Sequence, residues 1–285
     1  MAVQQQPPES LPQKAARLLR TFAASPVSVA RSLPGEVLQK HGSIKYSAAE
    51  VDDDWYEHLH GLLGAPWPCQ ESERLDALMA EIRKLLAANG LATGRGTYGW
   101  YSDAEITLAR AVWCTARHIQ PEVVIETGVA HGVTSRIILE ALNLNGTGHL
   151  WSIDLPHPLD PRLHAETGVA VTEECRRRWT YLEGTSKDKL PPLVPEVERV
   201  DMFIHDSLHT ARNTLFEMEQ AASAMRPGGV MLVDDIKSHT GFATFARRHP
   251  EYQTIVCETE DKIGMFGIAC RRAADQAPAG VRSRR

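Results

Sequence analysis

Four residues in the second half of the chain have types and spacing suited to handling a cation or a proton: Asp206, His209, Asp234 and Asp235. Asp206 follows the apolar run Val200–His205, and the adjacent pair Asp234-Asp235 closes the run that starts at Val230. If the two runs are neighbouring parallel strands, all three carboxylates meet on one rim of a sheet. Carboxylates gathered in this way repel and raise one another's pKa unless a cation compensates, and hard oxygen donors suit Mg²⁺ or a similar divalent ion. Asp206, Asp234 and Asp235 are therefore expected to be metal ligands. The alternative is that Asp234 and Asp235 cap a helix or face solvent while Asp206 contacts a substrate directly. His209 stands in the loop before a predicted helix at Ala211–Met225, and an ordinary imidazole titrates close to neutrality. It is the first candidate for a general base beside Asp206, with His205 and His239 as poorer ones. A zinc site from His205, Asp206 and His209 is disfavoured, because histidines four apart share a face only on a helix and His205 is expected in a strand.

A second constellation lies upstream. The apolar run Val123–Glu126 enters Glu126-x-Gly128-x-x-x-Gly132 and then an apolar helical segment. Strand, glycine turn and helix in this order form a ligand platform at the carboxyl end of a strand. A dinucleotide enzyme would favour G-x-G-x-x-G here, to seat a pyrophosphate on the helix N-terminus. Glu126 replaces the first glycine of that pattern. A carboxylate repels phosphate but can accept a hydrogen bond from the ammonium of an amino-acid-bearing cofactor such as S-adenosylmethionine. Asp154 closes the next run, His149–Asp154, about 20 residues past the turn, where a carboxylate can take both ribose hydroxyls. Thr134 and Ser135, opening the helix, could bond the methionine carboxylate or merely cap. Thr185 and Ser186 follow the third strand and could lie near an adenine edge.

Taken together, Glu126–Gly132, Asp154, the run Phe203-Ile-His-Asp-Ser-Leu-His209 and the run Arg226-Pro-Gly-Gly-Val-Met-Leu-Val-Asp-Asp235 resemble class I S-adenosylmethionine-dependent methyltransferases. More narrowly, they resemble the metal-dependent small-molecule O-methyltransferases of the catechol and macrocin types. The likeness spans about Tyr98 to Arg271. It implies that Glu126 lies near the methionine moiety, that Gly128 and Gly132 shape the cofactor loop and that Asp154 binds ribose. It also implies acids at Asp206, Asp234 and Asp235 around a divalent metal. Catechol enzymes carry lysine near the position of His209, so its role rests on the residues alone. The expected activity is methyl transfer to a hydroxyl of a small acceptor resembling a natural product. The alternatives are metal-independent N- or carboxyl-methylation, a nucleotide-dependent oxidoreductase and a non-catalytic cofactor-binding protein.

The elements that must position these groups are legible as alternation. After Pro121, apolar runs at Val123–Glu126, His149–Asp154, Trp179–Glu183, Val200–His205 and Val230–Asp234 are separated by helix-sized segments. Runs at Gln253–Cys257 and Lys262–Ala269 are separated by a few residues. The pattern predicts an α/β, Rossmann-like, doubly wound, mostly parallel seven-stranded sheet ending in an antiparallel hairpin. Upstream, Leu75, Leu78, Met79, Ile82, Leu85 and Leu86 fall on one helical face that stops near Gly90. A second helix is expected from Ala104 to Arg117, with Ser102-Asp-Ala-Glu105 as its capping box and Ile106, Ala109, Val112 and Ala116 inward. The expected organisation is a disordered start over 1–13, a helical extension or lid over 14–97, the core over 98–271 and a disordered tail over 272–285. Aromatic residues Tyr46, Trp55, Tyr56, Trp67, Tyr98, Trp100 and Tyr101 would pack the extension on the core or line a lid.

Bulk properties narrow the partners. The net charge of -5 and the absence of a basic stripe argue against nucleic acid. No apolar run approaches a membrane span, and the start lacks a secretory leader, so the expected setting is cytoplasmic, with a homo-oligomer open. The five cysteines are scattered without C-x-x-C spacing, which indicates buried thiols rather than a disulfide framework or zinc ribbon.

Overall fold

A computed structural model describes residues 46–47, 49–92, 105–156 and 161–273. The elements run α1 (Trp55–Leu63), α2 (Ser72–Ala88), α3 (Ile106–Ile119), β1 (Val123–Thr127), α4 (Val133–Asn145), β2 (His149–Asp154), α5 (Pro161–Glu166), α6 (Glu173–Arg176) and β3 (Trp179–Glu183). They continue as α7 (Ser186–Val197), β4 (Val200–His205), α8 (Ala211–Ala224), β5 (Met225–Val233), α9 (Gly241–Arg248), β6 (Tyr252–Glu258) and β7 (Met265–Arg271). The strands form one seven-stranded sheet in the order β3-β2-β1-β4-β5-β7-β6. The first five are parallel, and β7 runs antiparallel to both β5 and β6. Strand order reverses between β1 and β4, which opens a crevice at their carboxyl ends.

Alternation along each central strand divides the core. Val124, Met202, Ile204, Val230 and Leu232 point to the face covered by α3 and α4, with α2 packed outside them. Ile125, Phe203, Met231 and Val233 point to the face covered by α7, α8 and α9. Buried on both faces, these strands read as continuous apolar runs. α3 is buried nearly all round, from Thr107 to Ala116, because the sheet lies on one side and α1 and α2 on the other. The inward stripe of four residues expected for it is therefore too narrow. Its N-cap is Glu105, whose carboxylate accepts from the amides of Thr107 and Leu108. Ser102, expected to cap, lies outside the described residues, as do Tyr98, Trp100, Tyr101 and the two expected disordered ends apart from 272–273.

Two strand starts differ from expectation by three residues or more. β5 begins at Met225, so Arg226-Pro-Gly-Gly belongs to the strand. β7 begins at Met265 rather than Lys262, because Thr259 and Asp261 close a turn: the Asp261 carboxylate accepts from the Ile263 amide, and the Thr259 hydroxyl accepts from the Gly264 amide. Among the described residues no helix is long and apolar enough to cross a membrane.

Candidate active site

β1 ends in the glycine turn. Gly128 has φ +88°, and a side chain there would collide with the backbone carbonyl of Asp206; Gly132 has φ +83° and lies against Gly168. The close approach that makes glycine necessary at 128 is thus to the chain itself, at the end of β4. Asp154, closing β2, turns Oδ2 back to accept from the amides of Val129 (3.1 Å) and Ala130 (3.2 Å). This bonding holds the turn in shape, while burial is the main cause that raises the Asp154 pKa.

Glu126 is fully buried. Its Oε2 accepts from the hydroxyls of Ser135 and Ser152, both at 2.6 Å, and the Trp179 indole donates to Ser152 at 2.8 Å. Its other oxygen, Oε1, has no partner among the described residues. Burial pushes this carboxyl up to about 8, so without a nearby cation it holds its proton at neutral pH. Ser135 therefore orients Glu126 and does not cap α4, whose N-cap Gly132 has no side-chain cap bond. Thr134 is also nearly buried. Thr185 caps α7 by accepting from the Asp188 amide at 3.2 Å and donates to the Asp188 carboxylate at 2.7 Å. Ser186 bonds Glu217. In this structure neither is hydrogen-bonded to the glycine turn.

On the other side of the β1/β4 crevice, Asp206, His209 and Asp234 bring one donor atom each within 4.8 Å of one another. His209 Nε2 is 3.4 Å from Asp206 Oδ1, an ion pair without hydrogen-bond geometry, and Nδ1 is 3.3 Å from Asp235 Oδ2. Burial opposes charge on His209, but the carboxylates of Asp206, Asp235 and Asp234 outweigh it and hold the imidazole well above its ordinary pKa. Burial first and the Asp206 charge second push Asp234 up to about 8. Asp235 adopts φ +49° and turns toward His209 and Ser238. It was expected beside Asp234 as a ligand, but it stands behind the imidazole, since adjacent residues at a strand end point apart.

His205 and His239 are not free to act as bases. His205 Nδ1 is 2.6 Å from Glu217 Oε2, and the Thr214 hydroxyl bridges His205 Nε2 (2.8 Å) and His239 Nε2 (3.0 Å). Glu217 also accepts from Thr127, Ser207 and Asn213. Burial disfavours its charge, yet the His205 imidazole and these donors bring it down to about 2. This network, fully buried at Glu217, fixes the segment carrying Asp206. Sequence reasoning missed it; the signal was the set Asn213, Thr214, Glu217, polar groups on the face of α8 that also carries Met218 and Ala221.

Residues 125–236 match the family model described as a methyltransferase domain. Among solved structures, a chain from Klebsiella pneumoniae provisionally described as an O-methyltransferase aligns with TM-score 0.52 at 16% identity, covering 77% of this chain and 98% of that one. The O-methyltransferase from Bacillus cereus, solved with S-adenosylhomocysteine, aligns with TM-score 0.51 at 15% identity, covering 76% and 98%. An O-methyltransferase of tomaymycin synthesis from Streptomyces achromogenes, solved with S-adenosylmethionine, gives 0.50 at 16% identity, covering 69% and 90%. At these identities the structural likeness speaks for the fold. No curated protein matches the sequence.

Proposed function

We propose that this chain, whose residues 125–236 match a methyltransferase domain, is a class I S-adenosylmethionine-dependent methyltransferase that methylates a hydroxyl of a small, natural-product-like acceptor with the help of a divalent cation. The observation that carries this reading is the abutment of the two half-sites: Gly128 packs on the Asp206 backbone, and the Asp206 amide donates to the Thr127 carbonyl at 2.8 Å. The cofactor turn and the acid cluster thus share one joint.

The residues fit the cofactor. Glu126 Oε1 is a buried orphan at the turn, and Asp154 and the loop of Gly128 to Gly132 offer polar groups suited to ribose and to the methionine end. S-adenosylmethionine supplies the electrophilic methyl, so the protein has to align an acceptor oxygen rather than form a covalent intermediate. The residues fit a cation as well, since Asp206 and Asp234 bring carboxylate oxygens together at the rim and hard oxygen donors suit a divalent ion. A divalent ion supplies Lewis acidity to an acceptor hydroxyl.

His209 is the proposed base and Asp206 its catalytic partner. In the free protein the surrounding acids keep His209 protonated, so it becomes able to take a proton only when their charge is neutralised. Asp235 orients the imidazole through Nδ1. Thr185 and Ser186 remain assigned to the adenine side, and residues 14–97 to an extension or lid.

Calorimetry with S-adenosylhomocysteine tests the cofactor half. Asp154→Ala is expected to weaken affinity about 10-fold or more through loss of the ribose acceptor and of loop order; unchanged affinity would remove the ribose assignment. Transfer of labelled methyl to hydroxylated acceptors, abolished by chelator and restored by Mn²⁺ or Mg²⁺, tests the other half. Full turnover in chelator would leave a metal-independent enzyme.

A further inference from the structure

A second convergence of donor atoms lies away from the crevice, where α1 and the loop after it meet α3. Cys114 and His118 are four residues apart on α3 and share a face, in the half of the helix next to the start of β1. His60 comes from the last turn of α1 and Cys69 from the loop before α2. One donor atom from each of the four lies within 4.8 Å of the others. Cys69 Sγ is 3.3 Å from Cys114 Sγ and 3.6 Å from His118 Nε2. Tetrahedral zinc, with bonds of about 2.3 Å to sulfur and about 2.0 Å to nitrogen, spaces its ligand atoms roughly 3.3–3.8 Å apart. The sulfur–nitrogen separation matches the roughly 3.5 Å of such a pair, and the two sulfurs would part by about 0.4 Å to reach the roughly 3.75 Å of a sulfur–sulfur pair.

Four further features prepare the group for a cation. His60 Nδ1 is 2.7 Å from the Tyr56 carbonyl, which places the ring proton on Nδ1 and leaves the Nε2 lone pair exposed to the cluster. His60 is 0% exposed, and Nε2 has no partner among the described residues. The Tyr56 hydroxyl is 3.0 Å from Cys114 Sγ, placed to donate to a thiolate. The rings of Tyr56 and Trp67 flank His60, with centroids 4.8 and 5.1 Å away. Soft sulfur and imidazole donors select a different ion from the oxygen-rich crevice.

We propose that His60, Cys69, Cys114 and His118 bind one Zn²⁺ as a structural site that clamps α1 and its following loop to α3. Binding displaces the two thiol protons to solvent, and the two thiolates neutralise the ion. The sulfurs are not bonded, since a disulfide needs about 2.05 Å. The spacing of 45 residues between the cysteines hid the site from the sequence.

The test uses the full chain, stripped with chelator under reducing conditions and titrated with Co²⁺ alone. The expected result is a thiolate-to-cobalt charge-transfer band with tetrahedral d–d absorption, saturating at one Co²⁺ and bleached by one Zn²⁺. Zn²⁺ should also raise Tm, on the order of 5–10 °C. Cys69→Ser should lose the band, His118→Cys should keep it with stronger charge transfer, and Asp206→Asn should leave it unchanged. A folded, reduced chain without the band overturns the proposal. So does a Cys69–Cys114 disulfide recovered by alkylation mapping of freshly isolated, unreduced protein.

Discussion

The two ends of the parallel sheet treat buried acids in opposite ways. At the amino end, Asp201 is 1% exposed and saturated: it accepts from Arg226 Nε at 2.6 Å and from the amides of Glu122 and Val123 at 2.9 and 2.8 Å, with Arg199 Nε at 3.2 Å. At the carboxyl end, Glu126 and Asp234 are each pushed up to about 8, and the cation nearest Asp234 is an imidazole charged only by the acids around it. A compensated acid ties strands together; an uncompensated one favours a positive ligand. The Arg-Pro-Gly-Gly run illustrates the division, because Arg226 serves the amino end although it sits in the same strand that delivers Asp234.

This contrast can be broken from either side. The largest expected effect is on turnover: Asp206→Asn should lower kcat by about 10³-fold, through loss of the cation and of proton transfer, while stability stays level or rises by about 1 kcal/mol as repulsion is relieved. Initial rates beside urea unfolding check both, and a parallel loss of stability would make Asp206 structural. Next, Asp201→Ala should cost about 3–5 kcal/mol of stability by stranding Arg226 and two amides. The affinity of the folded fraction for S-adenosylhomocysteine should not move.

A pH series sharpens the comparison. Glu126, Asp234 and His209 are all raised in the folded protein, so between about pH 7 and 8 they hold more protons folded than unfolded, whereas His239, His118 and His149, lowered mainly by burial, act in the opposite sense below about pH 7. Stability of the metal-free chain should therefore fall as pH rises through that window, by several degrees in Tm, with Mn²⁺ reversing the fall most at pH 8. Glu217, lowered to about 2, contributes in the opposite sense, but its share is complete above the ordinary carboxylate range and is lost only in acid. A flat Tm from about pH 7 to 8 would contradict the uncompensated reading. The smallest effect is expected for Arg199→Ala, under about 1 kcal/mol, because that side chain is 48% exposed and Arg226 and the amides remain on Asp201.

Much of the fold was legible because strands buried on both faces announce themselves as apolar runs, and the turn at Gly128 and the strand-end acids then fall on the rim by topology. The sequence could not show which neighbour each acid would face. Asp234 and Asp235 are indistinguishable as letters, yet backbone direction sends one into the crevice and the other behind His209. Glu126 read as a charged acceptor, whereas its burial and two serine hydroxyls make it a neutral acid in the free chain. His205 and Glu217, separated by 12 residues and two kinds of element, met only in three dimensions.

The flush contact between Gly128 and the Asp206 peptide restricts how this architecture can diversify. With no gap to widen, the separation between the glycine turn and the end of β4 is fixed by backbone packing. An alanine at 128 would therefore disturb the turn and the segment carrying Asp206 at a single stroke.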